Sequence, residues 1–234
     1  RFLNWGVFHV ERGFEVVWRN YARCLRQRNQ GLKQRGGPST ITVWDRELCQ
    51  WGNEADHRRG IYFKRYQSVL SEVCGLVMPG FAIECSYERG WSIERDLSEQ
   101  LEMDSSRDLT RGLTHHGPHR ADLKVTVNGQ HAATECSRGE LKTLAWCMLM
   151  AQGRLQQERQ IKERQSAAPI YLVDDLMSEL DGVFSRRIAG LLTDNSSQVI
   201  ATGIEPGQLQ ALFSPQGSFP VFHVKHGVFE RVGE

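Results

Sequence analysis

The stretch PIYLVDDLMSELD at residues 169–181 constrains this chain more than any other. Ile170, Tyr171, Leu172 and Val173 form an unbroken apolar run, and two adjacent carboxylates, Asp174 and Asp175, close it. In a chain with 24% charged and 40% hydrophobic residues, such a run predicts a strand covered on both faces, as in a parallel sheet. A buried strand ending in acid puts carboxylates at the carboxyl edge of an open α/β sheet, where such sheets bind ligands. That arrangement suits a hydrated Mg²⁺ on a nucleotide.

The flanking sequence extends this pattern. In CSRGEL at 136–141, Ser137 and Glu140 match a capping box opening a helix, with Leu141, Leu144, Ala145, Met148, Leu149, Gln152 and Leu155 on one stripe. Gly139 in the first turn costs helix stability relative to alanine, up to about 1 kcal/mol. Two readings stand: a plain helix cap, or an anion site at a helix N-terminus where glycine lets a phosphate come close. SELD at 178–181 opens another helix, with Asp181 as its cap before Val183, Ile188, Leu191 and Leu192. QVIAT at 198–202 reads as a second short buried strand, and the alternation of strand and helix predicts a parallel α/β sheet. A last strand falls at 219–224, and Gly227 is the turn before an edge pairing at 228–232.

The first half is helical by periodicity. Phe14, Val17, Trp18, Tyr21, Ala22, Leu25 and Leu32 keep helical spacing, while Arg12, Arg19, Arg23 and Arg26 fall on another face. From Arg1 to Arg35 the basic residues are Arg1, Arg12, Arg19, Arg23, Arg26, Arg28, Lys33 and Arg35, against only Glu11 and Glu15. The stripe reads either as a solvated helix face or as a surface that tracks phosphates. GGPS at 36–39 breaks this helix, and a second runs from about 40 to 77 on Trp44, Leu48, Trp51, Ala55, Tyr62, Tyr66, Val69 and Val73. Gly52 and Gly60 weaken it, so a break near 57–60 is one expectation. The two helices should form an antiparallel arm. Phe81, Ile83, Cys85 and Tyr87 alternate as a half-buried strand, a helix-prone stretch spans about 92–113, and 123–127 with Asn128, Gly129 and the residues from His131 is a hairpin signature. His115, His116 and His119 cluster, but no second ligand group at a known spacing supports a metal site.

The six cysteines lie far apart with no CxxC pair, which fits a reduced, cytoplasmic protein. No stretch approaches the ~20 apolar residues that span a bilayer, so no membrane partner is expected. The residues from Arg1 read as mid-protein sequence, and the chain is expected to be a fragment.

CSRGEL, then IYLVDDLMSELD, then a strand, resembles the ABC class of ATPases in its SMC-like branch. Residues 137–140 would be the signature, 170–175 the Walker B strand and 178–181 the D-loop. RFLNWGVFHVE at 1–11 and GPHRADL at 117–123 bring the resemblance to the RecF family, over nearly the whole chain. It implies an α/β fold: an ABC-type ATPase lobe at 117–234 and a mainly helical second lobe at 1–116. It further implies ATP and Mg²⁺ as cofactors, an ATP-dependent homodimer, and binding to double-stranded DNA and single-strand/double-strand junctions. Partners would be RecR and RecO, with RecA loaded onto gapped DNA. Asp174 would hold Mg²⁺ through water, and Asp175 would orient the hydrolytic water. Ser137, Arg138, Gly139, Glu140, Ser178 and Asp181 would contact nucleotide, and Arg19, Arg23 and Arg26 are the candidate DNA contacts. Four departures follow. No GxxxxGK[ST] occurs, so the chain alone should not turn over ATP. Asp175 stands where many ABC ATPases have glutamate, no histidine occurs at 202–204, and Glu140 replaces the usual glutamine.

Overall fold

The first half forms three helices, α1 (Phe2–Val10), α2 (Phe14–Lys33) and α3 (Pro38–Val77), the last two where the apolar periodicity lies. The computed structural model describes residues 1–34, 38–162, 169–175, 180–194, 197–213 and 219–232. It divides into two compact units, Arg1–Val69 with Ala82–His131, and Leu70–Phe81 with Ala132–Glu234.

In the first unit, Phe14, Val17, Tyr21, Cys24 and Leu32 are the buried stripe of α2, and α1 is a helix that no periodic signal announces. Tyr21 and Cys24 meet Leu48, Trp91, Leu97 and Leu101 in one core cluster. The α3 helix is unbroken, so the expected break at 57–60 does not occur. Arg59, 3% exposed, explains this: it donates to Asn4 Oδ1 (2.8 Å) and the Pro118 carbonyl (2.7 Å) and lies over the Trp18 ring, pinning the segment between the two glycines. Gly52 itself is needed for packing, since a Cβ there would sit 2.5 Å from Leu97 Cδ2 and 3.4 Å from the Tyr21 ring.

The alternating segment is β1 (Ile83–Glu88), and α4 (Leu97–Arg111) follows, shorter at both ends than its propensity suggests. Asp96 and Glu99 form a capping box that fixes its start, and Gly112 at φ 68° ends it. After a 3₁₀ turn (Pro118–Arg120), β2 (Asp122–Val127) pairs antiparallel with β1, with Cys85 opposite Val125. Asn128 (φ 51°) and Gly129 (φ 79°) make the left-handed two-residue turn into β3 (Gln130–His131).

The second unit holds the last turns of α3, then α5 (Ala132–Glu135), α6 (Arg138–Lys162), β4 (Ile170–Val173), α7 (Gly182–Asp194), β5 (Gln198–Ala201), α8 (Pro206–Phe213), β6 (Phe222–Lys225) and β7 (Val228–Arg231). Strands β4 and β5 are parallel, with Leu172 opposite Ile200 and Val173 opposite Ala201. One face of β4 lies on α6: Val173 is 2% exposed, and the Tyr171 hydroxyl lies where a Cβ on Gly153 would be. The other face is open, with Ile170 60% and Leu172 74% exposed, so the strand is not covered on both faces as expected. Among the described residues only β5 pairs with it, and Ile200 on that face is exposed too.

The buried residues of α6 are Thr143, Leu144, Cys147, Met150, Ala151, Gln152, Gly153 and Leu155, of which Leu144, Gln152 and Leu155 belong to the expected stripe. The buried face is rotated from that stripe, leaving Ala145 and Leu149 exposed. Helix α3 helps set this rotation, because Glu72 pairs with Arg154 at 2.9 Å. Strands β6 and β7 are an antiparallel hairpin turning at His226 and Gly227, as the sequence predicts. Among the described residues no helix is long and apolar enough to cross a membrane.

Candidate functional site

Strand β4 delivers its two acids to the carboxyl end of the parallel pair, and β5 brings Thr202 beside them. The Thr202 hydroxyl donates to Asp174 Oδ1 at 2.6 Å, and its oxygen lies 3.3 Å from the Asp175 amide, which donates to it. The Thr202 amide continues the ladder onto the Val173 carbonyl at 2.8 Å. One side chain therefore orients the first carboxylate and holds the backbone of the second. Asp174 is exposed and Asp175 half-buried. Asp175 has φ 45°, a left-handed conformation uncommon outside glycine.

Ser137 and Glu140 form the capping box at the start of α6. The Ser137 amide donates to Glu140 Oε2 (2.7 Å), and the Glu140 amide to Ser137 Oγ (3.3 Å). The amides of Arg138 and Gly139 have no acceptor among the described residues, as first-turn amides lack intrahelical partners. A Cβ on Gly139 would meet nothing within 4 Å, so packing within the chain does not account for the glycine. Arg138 is exposed. No hydrogen bond or ion pair among the described residues joins this turn to the Asp174 cluster.

Asp181 caps α7, its Oδ1 accepting from the Val183 amide (2.7 Å) and the Phe184 amide (3.1 Å). Ser178 lies outside the described residues.

The basic face of α2 is partly neutralised. Arg19 pairs with Glu15, Arg23 lies 3.7 Å from Glu47, and Arg26 is exposed with no partner among the described residues. Arg28, which belongs to the same basic run in sequence, is 1% exposed. It binds Asp45 and Asp108 at 2.6 Å each and Thr114 Oγ1 at 2.8 Å. Burial opposes its charge, but hydrogen bonds to Asp45 and Asp108 outweigh that and raise its pKa.

The three histidines serve this same packing. His115 Nδ1 meets Asp108 Oδ1 at 2.7 Å, and His116 Nδ1 meets Asp104 at 2.5 Å. Burial disfavours the Asp104 carboxylate less than its bonds to His116 and Gln100 favour it, so its pKa is lowered. His119 Nε2 lies 3.1 Å from the Thr114 carbonyl and must donate to it, leaving Nδ1 to accept from the Tyr21 hydroxyl at 2.7 Å. Burial lowers the His119 pKa to about 4. Among the described residues no three such groups converge as metal ligands.

The donor set at Asp174 still suits Mg²⁺ with a nucleotide. One exposed carboxylate, oriented by a hydroxyl, matches an ion that keeps several waters and takes its other ligands from phosphates. The unpaired amides at the start of α6 are suited to phosphate oxygens. Sequence reasoning misses Thr202 as a site residue because its role comes from strand pairing; the signal for it is its place at the end of QVIAT, one residue beyond the parallel register of β4.

No protein-family model matches the chain. It is 36% identical over 230 residues to the DNA replication and repair protein RecF of Shewanella frigidimarina, covering 97% of this chain and 62% of that protein. It is 37% identical over 228 residues to the RecF of Shewanella sediminis, covering 97% of this chain and 61% of that protein. Among solved structures, the recombination mediator protein RecF with ATP, of the RecFOR pathway, matches with a TM-score of 0.78 at 21% identity, over 99% of this chain and 61% of the other. The Smc head domain of Pyrococcus furiosus, with an extended coiled coil and bound to the C-terminal domain of ScpA, matches with a TM-score of 0.50 at 14% identity, over 98% of this chain and 55% of the other. The fold is that of RecF and of an Smc head. The chain spans about three fifths of the length of the RecF proteins it matches, and over that length it belongs to the RecF family.

Proposed function

We propose that this chain carries part of an ATP-dependent switch that acts on DNA in repair and replication. The observation that carries this reading is the Asp174–Thr202–Asp175 cluster at the carboxyl end of a parallel strand pair. Its relatives are DNA replication and repair proteins, and a structural neighbour is RecF with ATP; both support the reading. On this view residues 117–234 belong to the ATPase lobe and 1–116 to the helical lobe.

Asp174 holds Mg²⁺ through water, with Thr202 fixing its rotamer. Asp175 orients the hydrolytic water. When bound, Mg²⁺ neutralises charge on the β- and γ-phosphates. Ser137 and the amides of Arg138 and Gly139 receive the γ-phosphate of a nucleotide held by a second copy, and Arg138 adds positive charge there. Glu140, Ser178 and Asp181 border the same junction. The site is then composite, so two copies associate when ATP is present and separate after slow hydrolysis. Arg19, Arg23 and Arg26 meet the backbone of double-stranded DNA beside single-strand gaps. Surface pairs such as Arg19 with Glu15 are weak enough to yield to phosphates. RecR and RecO act with the assembly to place RecA. The phosphate loop must come from residues other than these.

The test uses a chimera joining this chain to the part of the Shewanella frigidimarina RecF that it does not span. Ser137→Arg should leave ATP binding by the monomer within about twofold and abolish ATP-dependent dimerisation, read by light scattering. Loss of both would reduce Ser137 to a helix cap. A second reading, a protein-docking fragment without ATPase activity, is favoured by the open face of Ile170, Leu172 and Ile200. It predicts no ATP-dependent dimer in the chimera.

A further inference from the structure

Helix α6 carries a glycine in its interior, Gly153, where alanine would make a stronger helix. The residue is buried, and its surroundings show what the missing side chain admits. A Cβ on Gly153 would fall on the Tyr171 hydroxyl, 2.9 Å from Cζ and 3.4 Å from Cε1 of the same ring. Strand β4 therefore sets the far end of Tyr171 against the backbone of α6. The ring is enclosed there: burial raises the Tyr171 pKa against the opposing charge of Arg154, which Glu72 holds at 2.9 Å. Two residues on, and on the same face of the strand, Val173 is 2% exposed.

This contact lies between the two ends of the nucleotide site. Tyr171 is three residues before Asp174, about 10 Å along the strand. Gly153 is fifteen residues beyond Arg138, about 22 Å along α6. All four residues belong to the second unit. No hydrogen bond or ion pair among the described residues joins the first turn of α6 to the Asp174 cluster. Their separation is set instead by how the body of the helix packs on the strand, and the Tyr171–Gly153 approach is part of that packing.

We propose that Gly153 is a positioning residue: by admitting Tyr171 against α6, it fixes the spacing between Asp174 and the Ser137 turn on which ATP-dependent pairing of two copies depends. This rests on the composite site of the proposed function. In a two-fold pair, Ser137 of each copy meets the nucleotide held at Asp174 of the other, so the spacing within one chain is used twice, once in each junction. An error in that spacing leaves a nucleotide bound by one copy in place but misplaces both junctions together. Gly153 and Tyr171 touch no nucleotide and act only through α6 and β4. A methyl group added at 153 has two outlets: the Tyr171 ring turns away, which its enclosure opposes, or the strand lifts from the helix and carries Asp174 with it.

The test uses the chimera with the remaining part of the Shewanella frigidimarina RecF. Gly153→Ala should leave ATP binding by the monomer within about twofold and weaken ATP-dependent dimerisation by roughly tenfold or more, read by light scattering over a concentration series. Adding Tyr171→Leu removes the three ring atoms that the methyl group would meet and should restore most of the pairing. Ile188→Val, at a fully buried position of α7 in the same unit, should lower the urea midpoint and leave pairing unchanged, which separates positioning from a general loss of stability. A Gly153→Ala chimera that pairs as tightly as the unsubstituted one overturns the proposal, since Tyr171 then turns aside without consequence. So does a Gly153→Ala chimera that fails to fold by circular dichroism, or a loss of pairing that Tyr171→Leu does not restore, because the glycine is then a requirement of folding. Absence of an ATP-dependent dimer in the unsubstituted chimera overturns the composite site itself and this proposal with it.

Discussion

Replacing Arg28 by methionine isolates the energetics of the buried network in the first unit. Methionine keeps much of the stem and removes the guanidinium, so the cavity contribution is small and the electrostatic one dominates. Arg28 contributes bonds to Asp45, Asp108 and Thr114. Thr114 keeps Asn29, whose Oδ1 accepts from its hydroxyl at 2.7 Å and its amide at 2.8 Å. The Asp45 side chain, 30% exposed, can return to water. Asp108 cannot, because its side chain is 0% exposed and only the amide and ring of His115 remain to stabilise its charge. Breaking one side of a buried pair costs about 3–5 kcal/mol, and the surviving His115 bonds place this case near the lower end, about 3 kcal/mol. Urea unfolding followed by circular dichroism reads the loss. Arg26→Ala, two residues away on the exposed side of the same helix, should change stability by less than about 0.5 kcal/mol. Arg28→Met with Asp108→Asn, which removes both charges, should lose less than the sum of the two single changes. A loss below about 1 kcal/mol for Arg28→Met would refute the view that this arginine neutralises a trapped carboxylate.

Two other outcomes follow from the first unit. The folded chain holds His119 at a pKa of about 4, below its ordinary 6.5, so it takes up this proton less readily than the unfolded chain does. The contribution to stability is present above about pH 6.5 and is lost as pH falls towards 4, by roughly 3 kcal/mol at most. His119→Asn should flatten that part of the stability profile, and identical slopes for the two proteins would contradict the assignment. Gly52→Ala gains about 1 kcal/mol of helix propensity but drives a Cβ into Leu97. Overpacking of about 1–3 kcal/mol should win, giving a net loss by urea unfolding, and a more stable variant would mean that Leu97 moves aside freely.

Local signals are the legible ones. The Ser137 and Glu140 capping box, the Asn128–Gly129 turn, the Asp181 cap and the alternation of β1 each depend on residues a few positions apart, and each forms as its sequence predicts. Long-range pairing hides the rest. Arg28 looks like its neighbours in the basic run, and only Asp45 and Asp108, 17 and 80 positions away, make it interior. Periodicity places α6 as a helix but not its rotation, because Glu72 on another helix helps set it. The IYLV run signals a strand but cannot say what covers each face, and in this chain one face stays open. Thr202 gains its role from the register of β5 against β4, which no single segment encodes.

The handedness of the backbone at Asp175 bears on a choice that chemistry alone leaves open. At φ 45° the Cβ crowds the following carbonyl, and among residues other than glycine, aspartate and asparagine tolerate this best because their short polar arms bond locally. Glutamate has the same charge and a longer reach, but not that local compensation. The identity of the second acid is therefore dictated by the direction in which the chain turns as it leaves β4. A chain that leaves its strand through this turn receives the shorter carboxylate from conformation.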